Sequence, residues 1–165
     1  MEITTTDGFL HYYEKTRQIT NTVIAVIPPD RINWTYRPGK FTLADVVRHI
    51  AAIERNLFAE VVLNNRSLYT GCGPELADGY QNIMTYFHDM HQQSMRIFSA
   101  LGDDDLSRHV KTLDGRQISI SHFLRALVIH ETHHRGALCI YLNLLNINTP
   151  PILGLKEEQV IELSK

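Results

Sequence analysis

Apolar residues recur at helical spacing in four separate stretches of the chain. The first stretch begins near residue 7 and ends before Pro28-Pro29, because proline lacks an amide donor and restricts the residue that precedes it. The second stretch has the most regular period, covers about residues 42–63 and opens on Thr42 and Asp45, which resemble a capping box. Both stretches predict amphipathic α-helices.

Two more helices are predicted in the second half of the chain. One covers about residues 78–101, and the last begins at a serine cap, Ser119 or Ser121, and ends before Pro150-Pro151. Between these helices, Asp114-Gly115 separates short alternating runs, which could form a small hairpin but fit a structured loop better. Four long helices without an internal repeat predict an all-α four-helix bundle, with a long structured loop between helices three and four.

Composition and charge narrow the class of protein. The chain has 165 residues, 44% of them hydrophobic and 21% charged, which predicts one globular domain over residues 1–165. The net charge is -2 and the basic residues are scattered, so no basic stripe indicates nucleic-acid binding. The N-terminus lacks the pattern of a secretory signal, and no segment has the roughly 18 consecutive apolar residues that cross a bilayer. We therefore expect a cytoplasmic protein without a membrane partner.

Histidine stands out in the composition, with nine residues. His130 and His134 are four positions apart on the last predicted helix, so they project from one face and can bind one ion together. Two ligands bind weakly, and helix bundles commonly take further metal ligands from facing helices. His49 is the candidate for the third ligand, because it lies on the inward stripe of the second helix, where a buried imidazole needs a partner.

Spacing alone leaves other interpretations open. A histidine on a helix is usually exposed or hydrogen-bonded in the core, and a pair four residues apart is not rare in a histidine-rich chain. His88 and His91 on the third helix have a similar spacing, whereas His133 projects about 60° from the face of His130, which predicts a surface or outer position. Three acidic residues could orient imidazoles but are more simply explained as solvated helix charges or caps: Asp45, Glu54 and Glu131.

The segment His130–Gly136, which reads HETHHRG, resembles the HxxxHRG motif of the DinB-like family. Further similarity follows the family pattern in order over nearly the whole chain: Trp34, Pro38, residues 41–50 and residues 143–151. The resemblance implies a compact bundle with a three-histidine site, formed here by His49, His130 and His134. It also implies a metal ion at that site.

The motif departs from the family pattern at one position, where Ala137 replaces the usual Gln. This change removes a polar side chain beside the expected metal and leaves the three ligands intact. Two other motif residues have ordinary structural explanations. Arg135 can pair with a neighbouring acid, and Gly136 can admit a close approach of another helix, at a cost of about 1 kcal/mol in helix propensity.

Three imidazoles leave at least one coordination position for water or substrate, as in catalytic rather than structural zinc sites. Zinc and nickel both suit imidazole ligands, so we expect one of these two ions. The sequence assigns no catalytic residue, since no spacing places a candidate acid or base beside the metal. The side chains considered for that role are Tyr12, Tyr13, Tyr80, Glu131 and His133. A fourth ligand distant in sequence would close the site, and the candidates are His88, His91 and Glu54.

The family resemblance implies two classes of function. One is a metal-dependent enzyme, a thiol-dependent transferase or a hydrolase, that acts on a small molecule, and its partner would be a low-molecular-weight thiol. The alternative is a non-catalytic, stress-responsive metal-binding protein. Family members are frequently dimeric, so we expect a homodimer, with helices one and three or one and four at the interface.

Overall fold

The four predicted helices are present in the computed structural model, which describes residues 3–151 and 154–165. The elements are α1 (Thr6–Ile24), a 3-10 turn (Pro29–Arg31), α2 (Leu43–Ala52), a π-helical segment (Ile53–Ala59), α3 (Glu60–Asn64), α4 (Tyr80–Ser99), a second 3-10 turn (Asp103–Ser107), β1 (His109–Lys111), β2 (Gln117–Ser119), α5 (Ile120–Leu144) and α6 (Glu157–Leu163). The architecture is the expected four-helix bundle. None of the described helices is long and apolar enough to cross a membrane.

The second predicted helix is a continuous helical run from Leu43 to Asn64, but its hydrogen bonding changes along its length. It opens on the expected capping box, in which the Asp45 amide donates to Thr42 Oγ1 at 3.0 Å and the Thr42 amide donates to Asp45 Oδ2 at 2.9 Å. The middle of the run, Ile53–Ala59, is π-helical. The apolar period does not predict this wider turn, which is rare in proteins and often occurs near functional sites.

Serine caps the last long helix, since the His122 amide donates to Ser119 Oγ at 3.3 Å. Of the two serines considered, Ser119 is therefore the cap. The helix ends at Leu144, well before Pro150, and Asn146 follows in a left-handed conformation with φ of 58°. The short helix α6 after it was not predicted.

The connection between α4 and α5 contains a two-stranded antiparallel hairpin, the less favoured of the two interpretations of Asp114-Gly115. Val110 on β1 lies opposite Ile118 on β2. Gly115 adopts a φ of +85°, and the Thr112 amide donates to the Arg116 carbonyl at 2.8 Å, which closes the turn. The side chain of Val110 is 1% exposed, so the hairpin covers one end of the core.

Helix α1 packs on α5 and α2 packs on α4, and the buried apolar side chains form two clusters. Buried polar side chains lie between these clusters. On α1, Arg17 and Thr20 lie between Tyr13 of the first cluster and Val23 of the second. The same order recurs on α5 and the reverse order on α4, and Glu54 of the π-helical segment also lies among these polar side chains. We call this set the polar layer: Arg17, Thr20, Glu54, His91, Ser94, Glu131 and Arg135.

Candidate metal centre

The three histidines singled out by the sequence converge in the structure. His49 comes from α2, and His130 and His134 come from successive turns of α5. One ring nitrogen from each can be chosen so that all three lie within 4.8 Å of one another. The ring centroid of His134 is 4.5 Å from those of both His49 and His130, and the centroids of His49 and His130 are 5.0 Å apart.

The spacing of these nitrogens fits a shared metal ion. Nε2 of His49 and Nε2 of His130 are 3.1 Å apart. Two imidazole nitrogens bound to one tetrahedral zinc ion, each at about 2.0 to 2.1 Å, are separated by about 3.3 to 3.4 Å. A shift of a few tenths of an ångström would therefore bring both nitrogens to bonding distance from one ion.

The electrostatic environment keeps the three imidazoles neutral at neutral pH. Burial, together with the neighbouring imidazoles, lowers the pKa of His130 to about 3 and that of His134 to about 4. Burial also lowers the pKa of His49 below its ordinary value. A neutral imidazole has a free lone pair on one nitrogen, which is the form that binds metal ions. The three rings are thus held in the protonation state that a metal site requires.

Tyr69 orients His49, and the sequence did not reveal this residue. Its hydroxyl oxygen is 2.9 Å from Nδ1 of His49, so the ring can donate from Nδ1 while Nε2 faces His130. Burial, and then the neighbouring Cys72 thiol, raise the pKa of Tyr69 to about 12, so the side chain is a neutral phenol. Hydrogen bonds of this kind fix the tautomer and direction of metal-binding imidazoles.

Within the described part of the chain, no further His, Cys, Asp or Glu joins the group of three histidines. The three residues considered as fourth ligands lie elsewhere. The exposed His88 contacts the side chain of Gln92, with 2.7 Å between His88 Nε2 and Gln92 Nε2. His91 and Glu54 are bonded to each other in the polar layer, where Nδ1 of His91 is 2.8 Å from Glu54 Oε1.

A cavity of about 410 Å³ lies beside the histidine cluster. His134 and Ala137 form part of its wall on α5, together with the exposed ring of His133. Ala137, which replaces the polar residue of the family motif, therefore faces open space next to the candidate ligands. Of the five side chains considered as acids or bases, His133 lines this cavity, whereas Tyr12, Tyr13, Tyr80 and Glu131 do not.

Two acidic residues that the sequence suggested were solvated are instead fully buried. Glu54 and Glu131 have exposed fractions of 0%, and both pair with the Arg17 guanidinium, which is 1% exposed. Thr20 also donates its hydroxyl to Glu131 Oε1 at 2.6 Å. The prediction of solvated charges was wrong for these two residues, because each faces a cation that lies on another helix. Asp45 is the third helical residue of the predicted capping box, in which Thr42 is the N-cap.

His91 lies between two carboxylates in the polar layer. Its Nδ1 is 2.8 Å from Glu54 Oε1 and its Nε2 is 3.1 Å from Glu14 Oε2. Burial alone would lower the pKa of His91, but the hydrogen bond to Glu54 and the charge of Glu54 raise it above the ordinary value. The imidazolium form can donate to both carboxylates, so His91 belongs to the polar layer and not to the three-histidine site.

The expectations for Arg135 and Gly136 were wrong in their details. Arg135 forms no ion pair among the described residues, and its Nη1 donates to the Thr16 carbonyl at 3.3 Å. A Cβ added at Gly136 would meet no atom within 4 Å, so this glycine does not admit a close approach of a described helix. Gly136 lies on an exposed part of α5.

Solved structures share this fold at low sequence identity. A DinB-like protein from Bacillus cereus aligns with a TM-score of 0.74 and 20% identity, over 90% of this chain and 97% of that one. A DinB-like protein from Bacillus subtilis aligns with a TM-score of 0.70 and 18% identity, over 88% and 96%. A mutant of the mycothiol-dependent maleylpyruvate isomerase aligns with a TM-score of 0.60 and 13% identity, over 81% of this chain and 60% of that one.

Sequence comparison leads to the same family. The search of curated proteins finds no match. The family model described as the DinB superfamily matches residues 12–138, well over half of the chain, and this range includes His49, His130 and His134. The chain belongs to the DinB superfamily.

Proposed function

We propose that His49, His130 and His134 bind one divalent metal ion, zinc or nickel, and that the site serves chemistry on a small molecule. The observation that carries this proposal is the convergence of three neutral imidazoles from two helices, with their ring nitrogens within 4.8 Å of one another. Among the described residues, the three rings have two hydrogen-bond contacts, His49 with Tyr69 and His49 with His130. Coordination would use the lone pair of each of the three rings.

The chemistry proposed is transfer of a thiol-bearing group or hydrolysis. A divalent ion at such a site lowers the pKa of a bound water toward about 7 or holds a thiol as thiolate. The protein side chains have separate tasks. Tyr69 holds the ring of His49 by its Nδ1, and His133 is an exposed group beside His134 that can accept or donate a proton. The isomerase that shares this fold is described as mycothiol-dependent, and this supports the thiol-dependent chemistry over hydrolysis.

The first experiment measures metal content in protein purified without added nickel, alongside the variants His134→Ala and His122→Ala. We expect about one ion per wild-type chain, bound at about 2.0 to 2.2 Å from each ring nitrogen in an X-ray absorption spectrum. His134→Ala removes most of the bound metal. His122→Ala is the matched control, since His122 is an exposed histidine at the start of the same helix. Full occupancy in His134→Ala would show that the ligand set is wrong.

The alternative function is non-catalytic metal binding. The cavity beside His134 and the lack of a fourth His, Cys, Asp or Glu ligand among the described residues both favour the enzyme. A screen with common cellular thiols and with ester and amide substrates distinguishes the two functions. Turnover that disappears in His134→Ala supports the enzyme. Full metal occupancy without turnover, and with a protein side chain at the fourth position in a metal-bound structure, supports the binding protein.

We also propose that the protein forms a homodimer. Apolar side chains on α5 are left exposed, among them Ile129 at 66% and Ile140 at 61%. The turn of helix between them contains the exposed Gly136, which would let a second helix approach closely. Light scattering in the micromolar range tests the proposal, since the chain alone has a mass of 18.9 kDa. A monomer mass throughout that range would rule the dimer out, and Ile140→Lys should dissociate it.

A further inference from the structure

The cavity beside His134 has three aromatic side chains in its wall. Tyr36 and Phe41 line it from the connection that precedes α2, and Tyr141 lines it from α5. The rings of Tyr36 and Tyr141 are 5.5 Å apart at 68°, and Trp34 packs behind Tyr141 at 5.7 Å and 81°. These edge-to-face contacts fix the orientation of the wall.

The aromatic side chains of this wall are covered on one side only. Tyr36 is 50% exposed and Phe41 is 44% exposed, although both belong to an ordered connection. That connection is tied down by the Leu43 amide, which donates to the Trp34 carbonyl at 3.0 Å, and by the Thr35 hydroxyl, which donates to the Lys40 carbonyl at 3.3 Å. The ring of Phe41 is also 5.7 Å from that of His49, so a molecule against it reaches the histidine cluster.

The charge of the cavity is positive. Lys40 lines it, and none of the described lining residues is acidic. One carboxylate acts on this wall, because burial, then Tyr36 and then the charge of Asp45 raise the pKa of Tyr141. Arg48 and the Thr42 cap already neutralise Asp45 by an ion pair and hydrogen bonds. A metal ion held by three neutral imidazoles would add further positive charge.

From this arrangement we propose that the cavity binds a small organic anion with a flat apolar body. The flat part lies against Tyr36, Phe41 and Tyr141, and the anionic group pairs with the Lys40 ammonium at the rim. This inference rests on the proposed function in one respect, since it names the substrate class of the same site. A volume of about 410 Å³ is within the usual range for small-molecule sites.

The test uses three probes that separate the two features of the ligand. Benzoate has the ring and the charge, benzamide has the ring without the charge, and acetate has the charge without the ring. Binding to the full-length protein is followed by two-dimensional NMR, both in the metal-free protein and in the zinc-loaded protein. In the metal-free protein we expect benzoate to bind at least about fivefold more tightly than either other probe, with shifts at Tyr36, Lys40 and Tyr141.

Two variants assign the contributions. Lys40→Met weakens benzoate binding by about fivefold and leaves benzamide binding unchanged, because one solvent-accessible ion pair is lost. Tyr36→Leu weakens both ring-bearing probes and leaves acetate binding unchanged. Lys111→Met is the matched control, since Lys111 is an exposed lysine on β1 away from the cavity. Each of these side chains is exposed or partly exposed, so the variants are expected to fold.

Several results would overturn the proposal: equal affinity for benzoate and benzamide, an unchanged benzoate affinity in Lys40→Met, no saturable benzoate binding, or shifts that map elsewhere. The metal is measured separately by zinc titration of each protein. A protein that binds no zinc but binds benzoate through Lys40 contradicts the proposed function and supports this site. A protein that binds zinc but not benzoate contradicts this site and supports the metal site of the proposed function.

Discussion

The bundle has two polar clusters on neighbouring faces of α5, and they are built on opposite principles. The polar layer brings together full charges, with Arg17 placed between Glu54 and Glu131 and all three side chains almost fully buried. The histidine cluster brings together neutral rings, and those of His49, His130 and His134 are only partly buried. Nδ1 of His130 is buried without a hydrogen-bond partner among the described residues.

This difference separates a structural role from a functional one. The charges of the polar layer are paired within the protein, although Nε and Nη1 of Arg17 are also buried without a hydrogen-bond partner among the described residues. The histidine cluster has three rings that can each donate an electron pair to a bound ion, and one of its edges opens onto a cavity. Disruption of the polar layer should therefore reduce the free energy of unfolding. Disruption of the histidine cluster should instead reduce the binding of an external ligand such as a metal ion.

The largest effect is expected from Arg17→Met. This change leaves the buried Glu131 without a cation and leaves Glu54 with His91 as its remaining partner, which costs about 3 to 5 kcal/mol of unfolding free energy. Urea denaturation of the metal-free protein measures the loss. Arg125→Met is the matched control, because Arg125 is exposed on α5, and its effect should stay within about 0.5 kcal/mol. A loss below about 1 kcal/mol in Arg17→Met would show that the buried ion pairs contribute no more than surface pairs do.

An intermediate effect is expected from Tyr69→Phe, which removes the hydroxyl next to Nδ1 of His49 and keeps the ring. We expect zinc affinity to fall by about 10- to 100-fold, as for other residues that orient metal ligands, while unfolding free energy without metal changes little. Competition with a chromogenic zinc chelator measures the affinity. Tyr80→Phe, on α4, serves as the control. Unchanged zinc affinity in Tyr69→Phe would mean that the hydrogen bond does not orient the ring.

A third prediction concerns pH, to which the two clusters should respond with opposite sign. In the histidine cluster the folded-state pKa values of His130 and His134, about 3 and about 4, lie below the ordinary value of 6.5. The unfolded chain therefore binds more protons, and the metal-free protein loses stability as pH falls from about 6.5 toward 4. His91 has a raised pKa, so its stabilising contribution is complete below 6.5 and is lost as pH rises through the raised value.

Urea denaturation between acidic and alkaline pH, with a chelator present, measures both trends. The double variant His130→Ala, His134→Ala should lose less stability in acid than the wild type does. His91→Gln should differ most from the wild type at low pH, and the difference should shrink as pH rises. The groups that face His91 are Glu14, Glu54, Arg17 and Tyr13, and its trend depends on them. A difference that grows with pH would contradict the assignment of a charged His91.

The sequence predicted the helices because their apolar period is set by burial on one face. The spacing of proline and of capping residues also located most of their ends, as at Thr42 and Ser119. The π-helical segment was not predictable in this way, since one wider turn changes hydrogen bonding without changing residue types. Nor was α6, whose residues are exposed and share no face with the core.

The convergence of the three histidines could be predicted because two are four residues apart and the third lies on an inward stripe. Tyr69 could not, because it belongs to an irregular connection, held where the Leu68 amide donates to the Asn56 carbonyl at 2.8 Å. The buried charges of the polar layer could have been predicted from the sequence, although they were not. Arg17 falls four residues after Tyr13, on the buried stripe of α1, and a charge on such a stripe indicates a buried partner.

The order of residues on α5 also determines how fast different parts of the site can move. His130 precedes Glu131 and His134 precedes Arg135, so any local opening that releases the rings also exposes buried members of the polar layer. Amide hydrogens in this part of α5 should therefore be strongly protected from exchange, with an opening free energy that approaches that of global unfolding. The turn that contains Lys40 is exposed and lies outside α5, so access past it does not require α5 to open. A ligand can thus enter and leave past this turn many times while the helix that bears the histidines stays closed.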